Sequence, residues 1–259
     1  CDKYKIMNFF YGIKNNEFSS KIQVPTFQNR NGEAQTINLF KAYTDDNKWK
    51  IEELKNKQID KHFFLLNEED TSNTDIYFLA NKKDIENYDG VNLLDFNKFT
   101  DTSPSFRSNF KIILKNGGFS SYQSEYPLTM IKKKGAILSS VCSIANKDAE
   151  KNYIFIKNIF TDPINENFNA YLIDIVKKKI EEKISLKTNY TNSFELAKSL
   201  IKPEIFLVTQ EYLGIPMYVS VDNQHVSFEH THPPHEYILS SNKFKKISDL
   251  KKEVNEIIN

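Results

Sequence analysis

Residues 171–187 read YLIDIVKKKIEEKISLK, and this stretch decides the fold class. An apolar run ends at three lysines, and beyond them apolar and polar residues alternate from Ile184 to Lys187. Alternation with a period of two is typical of a β-strand with one buried face. A lysine run between two such segments is typical of an exposed turn. The stretch therefore predicts an antiparallel β-hairpin.

Short apolar runs separated by turn signals extend this pattern along most of the chain. Turn markers include residues 116–118, 162–163 and 222–224. We therefore expect a mainly β protein, and specifically an antiparallel β-sandwich. The predicted strands cover residues 21–27, 36–43, 62–66, 75–80, 109–114, 136–144, 152–160, 170–176, 184–189, 204–209, 216–221 and 225–230.

Helical periodicity is confined to two segments. Residues 49–57 form the weaker helix candidate. The stronger candidate is the C-terminus, where apolar residues recur at helical spacing and form one stripe. We expect this amphipathic helix to pack on the sandwich. Its stripe consists of Phe244, Ile247, Leu250, Val254, Ile257 and Ile258.

The domain organisation is expected to be simple. A β-rich domain can reach 200–250 residues, so we expect residues 1–259 to form a single β-rich domain. The segment 81–105 is poor in strand signal and is the best candidate for a boundary. Such a boundary would separate an N-terminal β part, 1–80, from a sandwich with its C-terminal helix, 106–259.

Composition excludes several classes of partner. The 35 Lys and Arg residues nearly balance 34 Asp and Glu, so no overall charge attracts nucleic acid. No apolar run approaches 18 residues, so we expect no transmembrane segment. Cys1 at the first position is typical of a mature bacterial lipoprotein, and it indicates a lipid anchor and a cell-surface location if it is the natural N-terminus. Otherwise the sequence indicates no localisation.

Four of the five histidines lie within eleven residues, and three of them are candidate metal ligands: His230, His232 and His235. An extended chain places His230 and His232 on the same side, and the two prolines that follow favour polyproline II geometry, which returns His235 to that side. Three imidazoles with an open position would suit zinc or another divalent transition metal. Glu229 or Glu236 could then transfer a proton as the catalytic carboxylate, or serve as a fourth ligand or as a hydrogen-bond acceptor for a ligating histidine. Two alternatives remain: a metal-free binding or catalytic site, and a structural role in which the histidines line a surface loop and a strand edge.

A second candidate site lies in the polar-aromatic segment 103–127. Arg107 is one of two arginines in a lysine-rich chain, and its guanidinium can bind a carboxylate in a bidentate way. A Gly-Gly pair allows a tight turn before a dense group of amide, carboxyl and phenol side chains. Such a mixture suits sugar recognition; the alternative is a polar hairpin with tyrosine rings on its flank. The candidate ligand-binding residues are Arg107, Tyr122, Gln123, Glu125 and Tyr126.

Three hypotheses for the function follow. The leading one is a binding module that recognises a glycan or a protein partner through polar-aromatic loops. The second is a metal-dependent hydrolase or lyase, in which the histidine-bound metal activates water. The third is a structural subunit of a larger assembly. The sequence contains no P-loop, dinucleotide fingerprint, serine-hydrolase elbow or cysteine-based zinc motif that would favour one of them.

Overall fold

The computed structural model describes residues 8–26, 37–80, 82–86, 88–93, 107–131, 135–230 and 240–259. The chain divides into two compact units. The first comprises residues 1–132, 159–165 and 189–191, and the second comprises residues 133–158, 166–188 and 192–259. The assignment of 1–259 as a single domain and the boundary near 81–105 stay predictions.

The first unit contains two sheets. One has five strands in the order β4-β3-β6-β1-β9, and the other has four in the order β5-β2-β7-β8. Two short helices, α1 and α2, follow β6 and β9. The element bounds are β1 Asn8–Tyr11, β2 Phe18–Pro25, β3 Asn38–Asp45, β4 Lys48–Glu53, β5 Phe63–Leu66, β6 Ile76–Ala80, α1 Lys82–Ile85, β7 Ser108–Leu114, β8 Phe119–Ser124, β9 Tyr126–Pro127 and α2 Leu128–Ile131.

The second unit contains two further sheets of four strands, in the orders β10-β15-β12-β13 and β14-β11-β16-β17. A 3₁₀ helix, Lys198–Leu200, follows β14, and the helix α3, Lys243–Ile258, lies at the C-terminus. The strand bounds are β10 Leu138–Ser140, β11 Lys151–Lys157, β12 Asn167–Asp174, β13 Lys179–Lys187, β14 Thr191–Glu195, β15 Ile205–Thr209, β16 Ile215–Asp222 and β17 His225–His230.

The hairpin predicted from residues 171–187 is confirmed. β12 and β13 pair antiparallel, and the pair Asp174 and Lys179 closes the ladder before the turn. A register shift between Leu172 and Ile173 marks a β-bulge. The Asp174 carboxylate accepts backbone N–H bonds from the turn at 2.8 and 3.0 Å, so the turn is held by its own first residue.

The C-terminal helix packs on a sheet of the second unit, as its apolar stripe predicts. Val254 is 1% exposed and contacts a cluster of buried side chains from β10, β12 and β15. Leu250, Ile257 and Ile258 pack against the same cluster and are partly buried. The buried members from the strands are Leu138, Tyr171, Ile173 and Val208.

The prediction of a β-sandwich is wrong, although the mainly β composition is confirmed. A sandwich has two sheets packed face to face. The described strands instead form four separate sheets of four or five strands, which match the sheets of a four-bladed β-propeller in number and size. The sequence pattern could not distinguish these arrangements, because short strands with alternating burial are common to both.

The helix predicted for residues 49–57 is also wrong, because this segment begins as strand β4. Side chains alternate along this strand. Lys48, Lys50 and Glu52 are exposed, whereas Trp49 points to the opposite side and is 3% exposed. The Trp49 indole N–H donates to the Thr161 carbonyl at 2.9 Å. A buried indole with a satisfied N–H stabilises the strand despite the helix-like spacing.

In the part of the chain that the structure describes, no helix has the length and apolar character needed to cross a membrane.

Candidate functional site

The polar-aromatic segment forms most of the β7–β8 hairpin. The Leu114 N–H donates to the Gly118 carbonyl, which closes the turn, and the antiparallel register then pairs Ile113 with Phe119 and Ser108 with Ser124. Side chains alternate between the two faces of β8. Tyr122 and Gln123, two of the predicted ligand-binding residues, therefore point to opposite faces.

The inward face of β8 carries a network of hydroxyl groups. The Tyr122 hydroxyl lies 3.0 Å from the Tyr11 hydroxyl, and Ser124 Oγ donates to Tyr11 at 2.9 Å. Ser108 Oγ donates to the Ser124 carbonyl at 3.0 Å. The Tyr122 hydroxyl is therefore engaged with the protein, and this network ties β8 to β1.

The tyrosines of this network stay protonated near neutral pH. Burial raises the pKa of Tyr11 to about 12. Burial also raises the pKa of Tyr122 well above its ordinary value, and the nearby Tyr11 adds to the effect. A phenol with so high a pKa donates and accepts hydrogen bonds but does not act as a phenolate. The network therefore stabilises the fold without supplying a nucleophile.

Arg107 and Glu125 form an ion pair at the end of the hairpin. Arg107 Nε lies 3.1 Å from Glu125 Oε1, and their side chains are 45% and 22% exposed. Tyr126 is fully buried on β9, and its ring contacts the Tyr11 ring edge-on with centroids 6.5 Å apart. A ring with no exposed face offers no stacking surface to a ligand. Of the five predicted ligand-binding residues, Gln123 and Arg107 are thus the exposed ones.

Gln123 belongs to a surface that we call the outer face, on strands β2, β7 and β8, opposite the face that carries Ile22 and Phe110. Its residues are half-buried or exposed except Ser19, which is 5% exposed, and Leu65 and Phe63 of β5 adjoin it on the β2 side. It consists of three cross-strand rows, each with one residue from β2, β7 and β8. Rows lie about 7 Å apart and strands about 4.8 Å apart, so the face measures about 14 by 10 Å. The rows are Ser19–Ile113–Phe119, Lys21–Lys111–Ser121 and Gln23–Asn109–Gln123.

The third row brings three amide side chains together and is called the amide row. Asn109 is the cross-strand partner of both Gln23 and Gln123. Asn109 and Gln123 are exposed, and Gln23 is half-buried. Each amide offers one oxygen acceptor and two N–H donors, so the row presents both kinds of group.

The other two rows add one aromatic ring and two ammonium groups. Phe119 is 61% exposed, and Lys111 Nζ lies 4.2 Å from the centroid of its ring, a cation–π contact. Lys21 Nζ lies 3.7 Å from Glu68 Oε1 at the margin of the face. Sequence reasoning missed Lys21, Gln23, Asn109 and Lys111, because no local pattern reveals that β2 and β7 are neighbours.

The predicted histidine site lies only in part within the described residues. Strand β17 alternates as expected, with His225 and Glu229 exposed and Phe228 buried. His230 Nδ1 lies 3.0 Å from Glu229 Oε1. His232, His235 and Glu236 lie outside the described residues.

Among the described residues, no group of three or more His, Cys, Asp or Glu side chains could hold a metal ion. The description of this protein as metal-binding therefore has no support in the described part of the chain. The assignment of His230, His232 and His235 as ligands stays a prediction, as does the catalytic role of Glu229 or Glu236.

Comparisons with known proteins add no family. No protein-family model matches the chain, and no curated protein or solved structure shows significant similarity to it.

Proposed function

We propose that this protein is a glycan-binding module and that the outer face of the sheet β5-β2-β7-β8 is its binding surface. The observation that carries the proposal is the amide row, Gln23, Asn109 and Gln123, in one cross-strand register. Sugar hydroxyls both donate and accept hydrogen bonds. Amide side chains match them in both roles.

The chemistry of the outer face favours a glycan over a protein partner. The centre of a protein–protein interface is depleted in charge and enriched in aromatic residues. The central row of this face instead holds Lys21 and Lys111, and Phe119 is the one aromatic ring among its nine residues, with the half-buried Phe63 of β5 beside its margin. A polar face with one ring suits a hydroxyl-rich ligand that gains its energy from hydrogen bonds and one stacking contact.

The test is an array of immobilised neutral and acidic oligosaccharides, followed by isothermal titration calorimetry with the strongest binder. We expect the wild-type protein to bind at least one oligosaccharide. Gln123→Ala and Asn109→Ala should each weaken that binding about two- to tenfold, since each removes hydrogen bonds worth about 0.5–1.5 kcal/mol.

Gln224→Ala is the matched control, because Gln224 is an exposed amide in the turn between β16 and β17. It should leave the affinity unchanged. All three variants should keep the wild-type circular dichroism spectrum, since the replaced side chains of Asn109, Gln123 and Gln224 are exposed. If no oligosaccharide binds, or if binding keeps full strength in both amide-row variants, the proposal is wrong.

A further inference from the structure

Two lysines occupy the centre of the outer face as direct neighbours. Lys21 on β2 pairs with Lys111 on β7 in the antiparallel register, so their side chains leave the same face. Like charges placed directly opposite each other destabilise a sheet. The Lys21–Lys111 pair therefore does not contribute to the stability of the fold.

The surroundings balance these two charges only in part. Glu68 lies beside Lys21 at 3.7 Å, and its other oxygen accepts the Ser19 hydroxyl at 2.6 Å. Lys111 lies over the Phe119 ring, which attracts a cation but carries no net charge. None of the nine outer-face residues is acidic. Lys21, Lys111 and Glu68 together therefore leave one excess positive charge at the centre of the surface.

We propose that the outer face selects an acidic glycan, with a sugar carboxylate held between Lys21 and Lys111. This inference rests on the proposed function. The amide row lies about 7 Å from the lysine row, so hydroxyls of an adjoining sugar can reach Asn109 and Gln123 while the carboxylate is held by charge. Lysine binds such a group as a point charge rather than through a fixed fork, which suits an exposed face.

The probe is a galacturonic acid oligomer of defined length, compared with the fully methyl-esterified oligomer of the same length. Esterification removes the charge and keeps the backbone, so the comparison isolates the carboxylate. We expect the wild-type protein to bind the acid more tightly than the ester. Added salt should weaken the binding of the acid more than that of the ester, because salt screens exposed charges.

Lys21→Gln and Lys111→Gln should each weaken binding of the acid about two- to fivefold and leave the ester unchanged, since exposed ion pairs are worth about 0.2–1 kcal/mol. Lys198→Gln is the control, because Lys198 is an exposed lysine that follows β14 in another sheet. It should change neither affinity.

Glu68→Gln tests the same idea in the opposite direction. It removes the carboxylate beside Lys21 and keeps an amide oxygen that can accept the Ser19 hydroxyl. Affinity for the acid should therefore rise about two- to fivefold, with no change for the ester. A role of Lys21 and Glu68 in stability alone would not produce this gain.

The outcomes separate the inference from the proposed function. Absence of binding to every oligosaccharide of the array would overturn both. Binding of a neutral oligosaccharide by the amide row, with acid and ester oligomers bound alike or not at all, would overturn the inference alone. Unchanged acid affinity in both Lys21→Gln and Lys111→Gln would also overturn it.

Discussion

The hairpins β12–β13 and β7–β8 have the same topology and use their polar groups differently. In β12–β13 the turn lysines are paired within the unit: Lys177 with Asp174, Lys178 with Glu253 and Lys179 with Glu181. In β7–β8 the outer positions present amides and an aromatic ring, and Lys111 lies directly opposite another lysine. The turn lysines of the first hairpin are each paired with a carboxylate, whereas the second hairpin presents amides and a lysine on its outer side without an acidic partner among the nine outer-face residues.

The largest expected effect is a difference between the two hairpins in how much one substitution lowers the free energy of unfolding. Ile173 on β12 is fully buried in the cluster that receives α3. Ile173→Ala should lower the free energy of unfolding by about 2–5 kcal/mol, because it removes buried methylene groups and leaves a cavity. Gln123→Ala on β8 should change it by less than about 0.5 kcal/mol. Urea denaturation followed by circular dichroism measures both.

A loss below about 1 kcal/mol for Ile173→Ala would contradict the role of this cluster as the core under α3. A large loss of unfolding free energy for Gln123→Ala would also contradict the comparison, since it would mean that the outer face is needed for stability. Either result would show that the two hairpins do not differ in the way their contacts indicate.

The second prediction concerns how the free energy of unfolding depends on pH, first at alkaline pH for the network around β8. The pKa of Tyr11, which is bonded to β8, is raised by burial from 10.0 to about 12. The unfolded chain therefore loses this proton first, and the stability that protonated Tyr11 provides is complete below pH 10 and declines as the pH rises toward 12. At pH 11 this decline amounts to roughly 1 kcal/mol. Tyr11→Phe should lose that much less stability between pH 9 and pH 11 than the wild type.

The β12–β13 hairpin should respond at the acidic limit instead. Hydrogen bonds from the Lys177 backbone N–H, assisted by its ammonium group, lower the pKa of Asp174 below its ordinary value of 3.8. A lowered pKa stabilises the fold above pH 3.8, and this contribution is lost as the pH falls through the folded value. The stability difference between wild type and Asp174→Asn should therefore shrink as the pH falls below about 4. Equal pH dependence in Tyr11→Phe and the wild type would contradict the assignment of the alkaline loss to the hydroxyl network.

The two hairpins also show what the sequence could predict. Residues 171–187 were predictable, because the strand period, the turn and the pairing partner all lie within one local stretch. Residues 119–126 were not, because their roles depend on strands that are distant in the sequence. Tyr126 is buried because β9 pairs with β1, a strand near the N-terminus that the apolar pattern did not predict.

The amide row illustrates the same limit at the candidate site. The sequence identifies Gln123 as a candidate ligand-binding residue, but its companion Gln23 is one hundred residues away. Only the order β2-β7-β8 brings the amides together. The sandwich prediction failed for a related reason, since strand signals do not specify how many sheets the strands form.

The smallest expected effect tests whether the internal charges of β12–β13 contribute energy or only occupy exposed positions. Lys178 Nζ lies 3.6 Å from Glu253 Oε1 on α3, and the two side chains are 68% and 42% exposed. Solvent screens such a pair, so a double-mutant cycle with Lys178→Ala and Glu253→Ala should give a coupling energy below about 0.5 kcal/mol. The coupling should fall further as salt is added. A coupling above about 1 kcal/mol would mean that the turn and α3 are held together by this ion pair, whereas a small value leaves the apolar cluster around Val254 as the basis of helix docking.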